Sequence, residues 1–147
     1  SAGVFVNAPP ELVAELLEEG TLDLAQLHGQ EDEIYMAELR RLTEKPLIQA
    51  FSIQTGQDAE QALESRADYL LLDQGRGGTG QTFDWSLLPE INRPFFLAGG
   101  LGEENLERAI RQVRPWAVDL SSSLETDGQK DPEKILRAVD LVRRLNG

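Results

Sequence analysis

Apolar residues along this chain come in short runs, separated by stretches in which they recur every three or four positions. The short runs fall at residues 4–6, Leu24–Leu27, 47–51, 69–72, Phe95–Ala98 and 117–120. Several are nearly continuous in hydrophobicity, as in Tyr69-Leu70-Leu71-Leu72, which suits parallel strands covered on both faces. The stretches between them read as helices. Residues 10–19 place Leu12, Val13, Leu16 and Leu17 on one face, and residues 32–43 do the same with Ile34, Leu39 and Leu42. Residues 103–113 stack Leu106, Ala109, Ile110 and Val113. Residues 131–145 open with Asp131-Pro132, a cap followed by proline in the first turn, and carry a stripe of Ile135, Val139, Leu141, Val142 and Leu145. The weakest helix falls between Phe83 and Leu88, where Asp84 caps a short turn. The pattern therefore predicts six strands, each followed by a helix, in one α/β domain spanning residues 1–147. Such units build either an open doubly wound sheet or a closed barrel, and periodicity does not choose between them.

Composition narrows the class. With 40% hydrophobic and 27% charged residues the chain has the make-up of an ordinary globular domain. No apolar stretch approaches the roughly 20 residues of a membrane span. The start, Ser1-Ala2-Gly3-Val4-Phe5-Val6-Asn7, lacks the basic region of a signal peptide, so the expected compartment is the cytoplasm. The absence of cysteine excludes disulfides and thiolate metal sites within these residues. The net charge of −12 disfavours nucleic acid and anionic membranes as partners. A phosphorylated metabolite remains compatible, provided that it is held by backbone N–H groups and helix N-termini. That requirement points to the glycine-rich loops.

Three consecutive strands end in small or polar residues: Leu71-Leu72-Asp73-Gln74-Gly75-Arg76-Gly77-Gly78-Thr79-Gly80, then Leu97-Ala98-Gly99-Gly100-Leu101, then Asp119-Leu120-Ser121-Ser122-Ser123-Leu124-Glu125. One glycine cluster alone reads as a tight turn. Three in succession, all at strand ends, point to a shared anion site, because glycine lets several N–H groups approach one ligand. Asp73 closes an apolar strand, where a carboxyl either donates a proton to a ligand or caps the next loop. His28, the only histidine, ends another strand. Trp85 and Phe83 read as core beneath the glycine-rich loop, and Trp116 as packing at the opposite end of the sheet. Glu15, Glu18, Glu19 and Arg143-Arg144 read as solvated helix faces. Arg76 is a loop cation able to steer an anion.

The same segments carry a family resemblance. Leu24-Ala25-Gln26-Leu27-His28-Gly29, Leu72-Asp73 with Gly77-Gly78-Thr79-Gly80 and Phe83-Asp84-Trp85, Leu97-Ala98-Gly99-Gly100-Leu101, and Asp119-Leu120-Ser121-Ser122 with Glu125 resemble the successive signatures of phosphoribosylanthranilate isomerase. Gly3-Val4-Phe5-Val6-Asn7 resembles that family's third barrel strand. The resemblance implies a (β/α)8 TIM-type barrel of which this chain supplies βα units three to eight, with units one and two absent. It implies an Amadori rearrangement of N-(5-phosphoribosyl)anthranilate to 1-(carboxyphenylamino)-1-deoxyribulose 5-phosphate in tryptophan biosynthesis, with no cofactor and no metal.

Carried over residue by residue, Asp73 matches the general acid that protonates the ribose ring oxygen, and His28 matches the family's His-Gly pair, where it either contacts the anthranilate end of the substrate or is a packed or hydrogen-bonded loop residue. Gly78, Gly80, Gly99, Gly100, Ser122 and Ser123 surround the phosphate, with Thr79 as a further donor. Ser123 departs from the family, which commonly has glycine there; serine is strained if that position requires a positive φ. The family's general base is a cysteine near the end of the first strand, and its substrate-engaging arginine follows the second. Neither has a counterpart here, and activity of this chain alone is expected to be impaired. Glu125 and Asp119 are bases by type, with no geometric reason to prefer either. The expected partner is a small phosphosugar. Two open sheet edges predict self-association or docking of a complementing N-terminal segment. The alternative is a phosphosugar-binding or assembly fragment without catalysis.

Overall fold

The computed structural model describes residues 1–74 and 85–147. In chain order its elements are β1 (Ala2–Phe5), α1 (Pro10–Glu18), β2 (Leu24–Leu27), α2 (Glu33–Leu42), β3 (Leu47–Ser52), α3 (Gly56–Leu63), β4 (Tyr69–Asp73), β5 (Phe95–Ala98), α4 (Leu106–Val113), β6 (Ala117–Val118), β7 (Glu125–Thr126), β8 (Gln129–Lys130) and α5 (Pro132–Asn146). Short 3-10 turns occupy Trp85–Leu87 and Ser122–Leu124. Strands β1 to β6 form one sheet, every neighbouring pair parallel, in the order in which they occur in the chain. This order separates the two architectures that periodicity left open. A doubly wound sheet reverses its strand order at a switch point, whereas a barrel wall runs in sequence order with its helices on one side.

The alternation of side chains along the strands sorts the core accordingly. Leu70, Leu72, Phe95 and Leu97 pack outward with Ala59 and Ala62 of α3, Ala109 of α4, and Trp85. Ala25, Leu27 and Leu47 pack outward with Val13 and Leu17 of α1 and Met36 and Leu39 of α2. The other face holds Ile48, Leu71 and Ala98, flanked by Leu24, Ala50, Tyr69 and Phe96. On this inner face Trp116 stacks on Tyr69 with ring centroids 5.5 Å apart and meets Phe96 edge-on at 5.7 Å. Trp116 nonetheless remains 64% exposed, as do Val4 and Val6 at the β1 side. The expectation that Trp116 is packed is thus half met: its ring has aromatic neighbours but no cover.

Helix starts follow the sequence signals. Asp32 accepts from the Tyr35 N–H at 2.9 Å, and Asp131 accepts from Glu133 N at 2.9 Å with Pro132 in the first turn. Thr55 and Asp58 form a reciprocal capping box. Three expectations are corrected. The helix expected over 103–113 begins only at Leu106, because Asn105 is engaged in a turn, accepting from Gly102 N and donating to Gly100 O, both at 2.9 Å. No α-helix follows β4 among the described residues; only the Trp85–Leu87 turn does, and Phe83 and Asp84 lie outside them. After β6, which stops at Val118 rather than 120, the chain makes a 3-10 turn and the antiparallel hairpin β7–β8 before α5. Asp127 and Gly128 turn that hairpin with φ of 53° and 75°, the positive values a two-residue hairpin turn requires.

Candidate active site

Parallel strands all point their C-terminal ends the same way, and four of those ends share one cleft of about 320 Å³. His28 follows β2, Asp73 ends β4, Ala98 ends β5 with Gly99-Gly100-Leu101 following it, and Asp119 to Ser122 follow β6. The sheet register sets Asp73 between Ser52 and Ala98, so its carboxyl emerges on the inner face beside the glycine turn. The Nε2 of His28 lies 3.8 Å from Asp73 Oδ2, beyond hydrogen-bond reach but within easy Coulombic range if the ring is protonated. Gln26, two residues earlier on the same face of β2, places its Nε2 3.0 Å from His28 Nδ1. An amide N–H donating there leaves the ring's own proton on Nε2, the nitrogen facing Asp73.

The loop carrying His28 is built with little tolerance. Glu31, only 8% exposed, accepts from the N–H groups of Asn7 and Gly29 with its two carboxylate oxygens, both at 2.8 Å. Asn7 sits at φ 53° and its Oδ1 accepts from Gln30 N at 2.8 Å. A Cβ on Gly29 would stand 2.6 Å from that Oδ1 and 2.9 Å from Asn7 N. The His-Gly pair is therefore a packing requirement as well as a motif. Glu31 was missed by the sequence reading; a lone acidic residue before a helix cap looks like ordinary solvated charge.

Across the cleft, Gly99 and Gly100 adopt φ of 84° and 64°. Both lie in the left-handed region, where a side chain costs roughly 1–2 kcal/mol. Asn105, also missed, holds this turn through Gly100 O and Gly102 N. Of the third loop, Ser121 and Ser122 form cleft wall together with Asp119 and Leu120. Ser123 does not line the cleft. It has no positive φ, so serine is unstrained, and within the 3-10 turn its Oγ is rotated into the interior near Gly102, without a hydrogen-bond partner among the described residues. Ser121, not Ser123, joins Ser122 on the wall. Glu125 is paired with Lys130 at 2.6 Å and is not on the cleft wall. Gly78, Gly80, Thr79 and Arg76 lie outside the described residues. Trp85 is buried in the outer core, with the guanidinium of Arg108 5.0 Å above its ring. Among the described residues no group of His, Asp and Glu is arranged to hold a metal ion, and no helix is long and apolar enough to cross a membrane.

The arrangement is an acid and an imidazole facing two glycine- and serine-lined turns, which suits proton transfer on a ligand anchored by an anionic group. The comparisons agree with that chemistry. The family model described as N-(5'phosphoribosyl)anthranilate (PRA) isomerase matches residues 1–141. The N-(5'-phosphoribosyl)anthranilate isomerase of Endomicrobium trichonymphae is 42% identical, the match covering 99% of this chain and 73% of that protein. The crystal structure of phosphoribosyl anthranilate isomerase from Thermotoga maritima superposes with a TM-score of 0.80 at 35% identity, over 97% of this chain and 72% of that one. A further isomerase crystal structure, in complex with reduced 1-(o-carboxyphenylamino)-1-deoxyribulose 5-phosphate, superposes with a TM-score of 0.76 at 32% identity, over 97% and 71%. With six parallel strands in the sequence order of a (β/α)8-barrel wall, and with these matches, the chain belongs to the N-(5'-phosphoribosyl)anthranilate isomerase family of tryptophan biosynthesis.

Proposed function

We propose that the cleft at the ends of β2, β4, β5 and β6 binds phosphoribosylanthranilate, with Asp73 as the general acid. The phosphate lies against the Gly99-Gly100 turn and the Ser121-Ser122 turn, and the ribose ring oxygen lies beside Asp73. Asp73 gives its proton to that oxygen as the ring C1–O bond breaks, leaving an open-chain iminium. A base then takes the C2 proton, and the resulting enol tautomerises to the ketose. Gly78 and Gly80 are assigned to the phosphate by resemblance alone, since they lie outside the described residues. The observation that carries the reading is the meeting of Asp73, His28 and the two left-handed glycines in one cleft. The base assigned by resemblance to a cysteine is not among these 147 residues, which contain none. Asp119 is the carboxylate nearest in kind on the cleft wall.

The six strands correspond on this reading to strands three to eight of the barrel, and residues 1–147 to a single unit of it. β1 and β6 each have one strand partner among the described residues. Their free edges, with Val4, Val6 and Trp116 exposed beside them, fit either a complementing segment that supplies the remaining strands or a second copy of the chain. The test is the fall of anthranilate fluorescence when substrate is added, with and without a supplied segment carrying strands one and two. Activity restored by the segment is expected, and Asp73→Asn should reduce the restored rate by about 100-fold or more, as loss of a general acid does. Full activity without the segment would refute the assignment of the base. Phosphosugar binding with no turnover under either condition would favour the second reading, a non-catalytic binding or assembly module, for which the exposed inner face is the specific support.

A further inference from the structure

The Ser121-Ser122 turn is held from behind. Lys130, on β8, donates from Nζ to Ser121 O at 3.0 Å and to Glu125 Oε1 at 2.6 Å. The Leu124 N–H reaches the same Ser121 carbonyl at 3.2 Å. Lys134, on α5, also clamps the hairpin, donating to Glu125 O at 2.6 Å, a bond to the hairpin and not to the turn. The peptide between Ser121 and Ser122 is trans, so its C=O and N–H point in opposite directions. Fixing Ser121 O on an ammonium outside the cleft therefore directs Ser122 N–H the other way, and keeps a lone-pair-bearing carbonyl from rotating toward an incoming anion.

This matters because the cleft wall carries two carboxylates, Asp73 and Asp119, and among the described residues no lysine or arginine. In a chain of net charge −12, an anion bound there depends on main-chain dipoles that stay put. We propose that Lys130 is the positioning residue of the phosphate subsite, acting through the Ser121-Ser122 peptide without touching the ligand. The inference rests on the phosphate reading of that wall and adds to it the hairpin that the sequence pattern did not reveal.

Calorimetric titration of the chain with inorganic phosphate tests it, using Lys130→Met, Lys130→Arg and Lys134→Met, each checked for folding by its thermal midpoint. Loss of a charge-assisted hydrogen bond behind the subsite should raise the phosphate Kd about tenfold in Lys130→Met. Lys130→Arg should stay within about threefold of the parent, since a guanidinium still donates. Lys134→Met should leave phosphate affinity unchanged although it loosens the same hairpin. Equal weakening by both methionine variants would mean general loosening and would overturn the role of Lys130. So would an unchanged Kd in a folded Lys130→Met. A parent chain that takes up no phosphate would overturn the phosphate reading of the cleft itself, and with it this inference.

Discussion

At the scale of single residues, the site depends on groups that do no chemistry. Gly29 shows this most directly. A methyl group there would collide with the Asn7 side chain and main chain, and these are fixed by Glu31 and by the left-handed Asn7 backbone. Gly29→Ala is therefore expected to cost about 1–3 kcal/mol, as overpacking does, measured as a lower urea midpoint. The same substitution should displace His28, so its ring resonances should shift; a stable variant with an unshifted histidine would refute the account. Gly20→Ala is the matched comparison. Gly20 has a positive φ of 78° but nothing within 4 Å of a new Cβ, so only backbone strain of roughly 1 kcal/mol is expected.

At the scale of elements, α2, α3 and α5 are held at their starts by the carboxylates of Asp32, Asp58 and Asp131, and carboxylates of this kind give the fold an acid limit. The Thr126 hydroxyl, opposed by slight burial and joined by the N–H groups of Lys134 and Glu133, holds the Asp131 carboxyl below its ordinary range. The N–H groups of Gln54 and Thr55 do the same for Asp58 at the start of α3. Asp68 is pushed up by burial, but the Arg40 guanidinium and the Leu47 N–H outweigh that and leave it lowered. A carboxyl depressed in the fold contributes stability that is complete above its unfolded value, about 3.9, and is lost as pH falls through the folded value. The thermal midpoint should accordingly be flat down to about pH 5 and decline below about pH 4. Asp131→Asn keeps a competent cap but removes one titrating group, so its decline should be shallower. An equally steep decline would show that Asp131 does not contribute.

At the scale of the whole molecule, the decisive feature is a sheet whose first and last strands do not meet. Edge donors and acceptors, with exposed Val4 and Trp116 on the inner face, are a template for further strands. Size-exclusion chromatography should therefore show association that increases with chain concentration, or a one-to-one complex when a segment supplying two further strands is added. A monodisperse monomer, unaltered by the segment, would show that the edges are satisfied as they stand. The match covers 70 to 73% of several curated relatives, so the complementing length can be taken from them.

Local pattern determined a good deal here by itself. Each of the six apolar runs gave a strand, the central β4 and β5 buried as continuous hydrophobicity predicts, the outer β1 and β6 shifted in their bounds and less buried, and the Asp131-Pro132 cap became a helix start. The loop sequences also singled out strand ends that the fold brings to one cleft, at Asp73, Gly99-Gly100 and Ser121-Ser122, and at 99 and 100 the left-handed backbone requires glycine. What only the tertiary structure decided depends on residues far apart in the chain. Strand order, and so barrel wall over open sheet, is a non-local pairing that periodicity cannot encode. The Glu31 clamp and the Lys130 brace join loops whose partners lie 24 and 9 residues away. That Ser121 and Ser122 line the cleft while Ser123 turns inward follows from the pitch of a single 3-10 turn, a rotation no composition or spacing records.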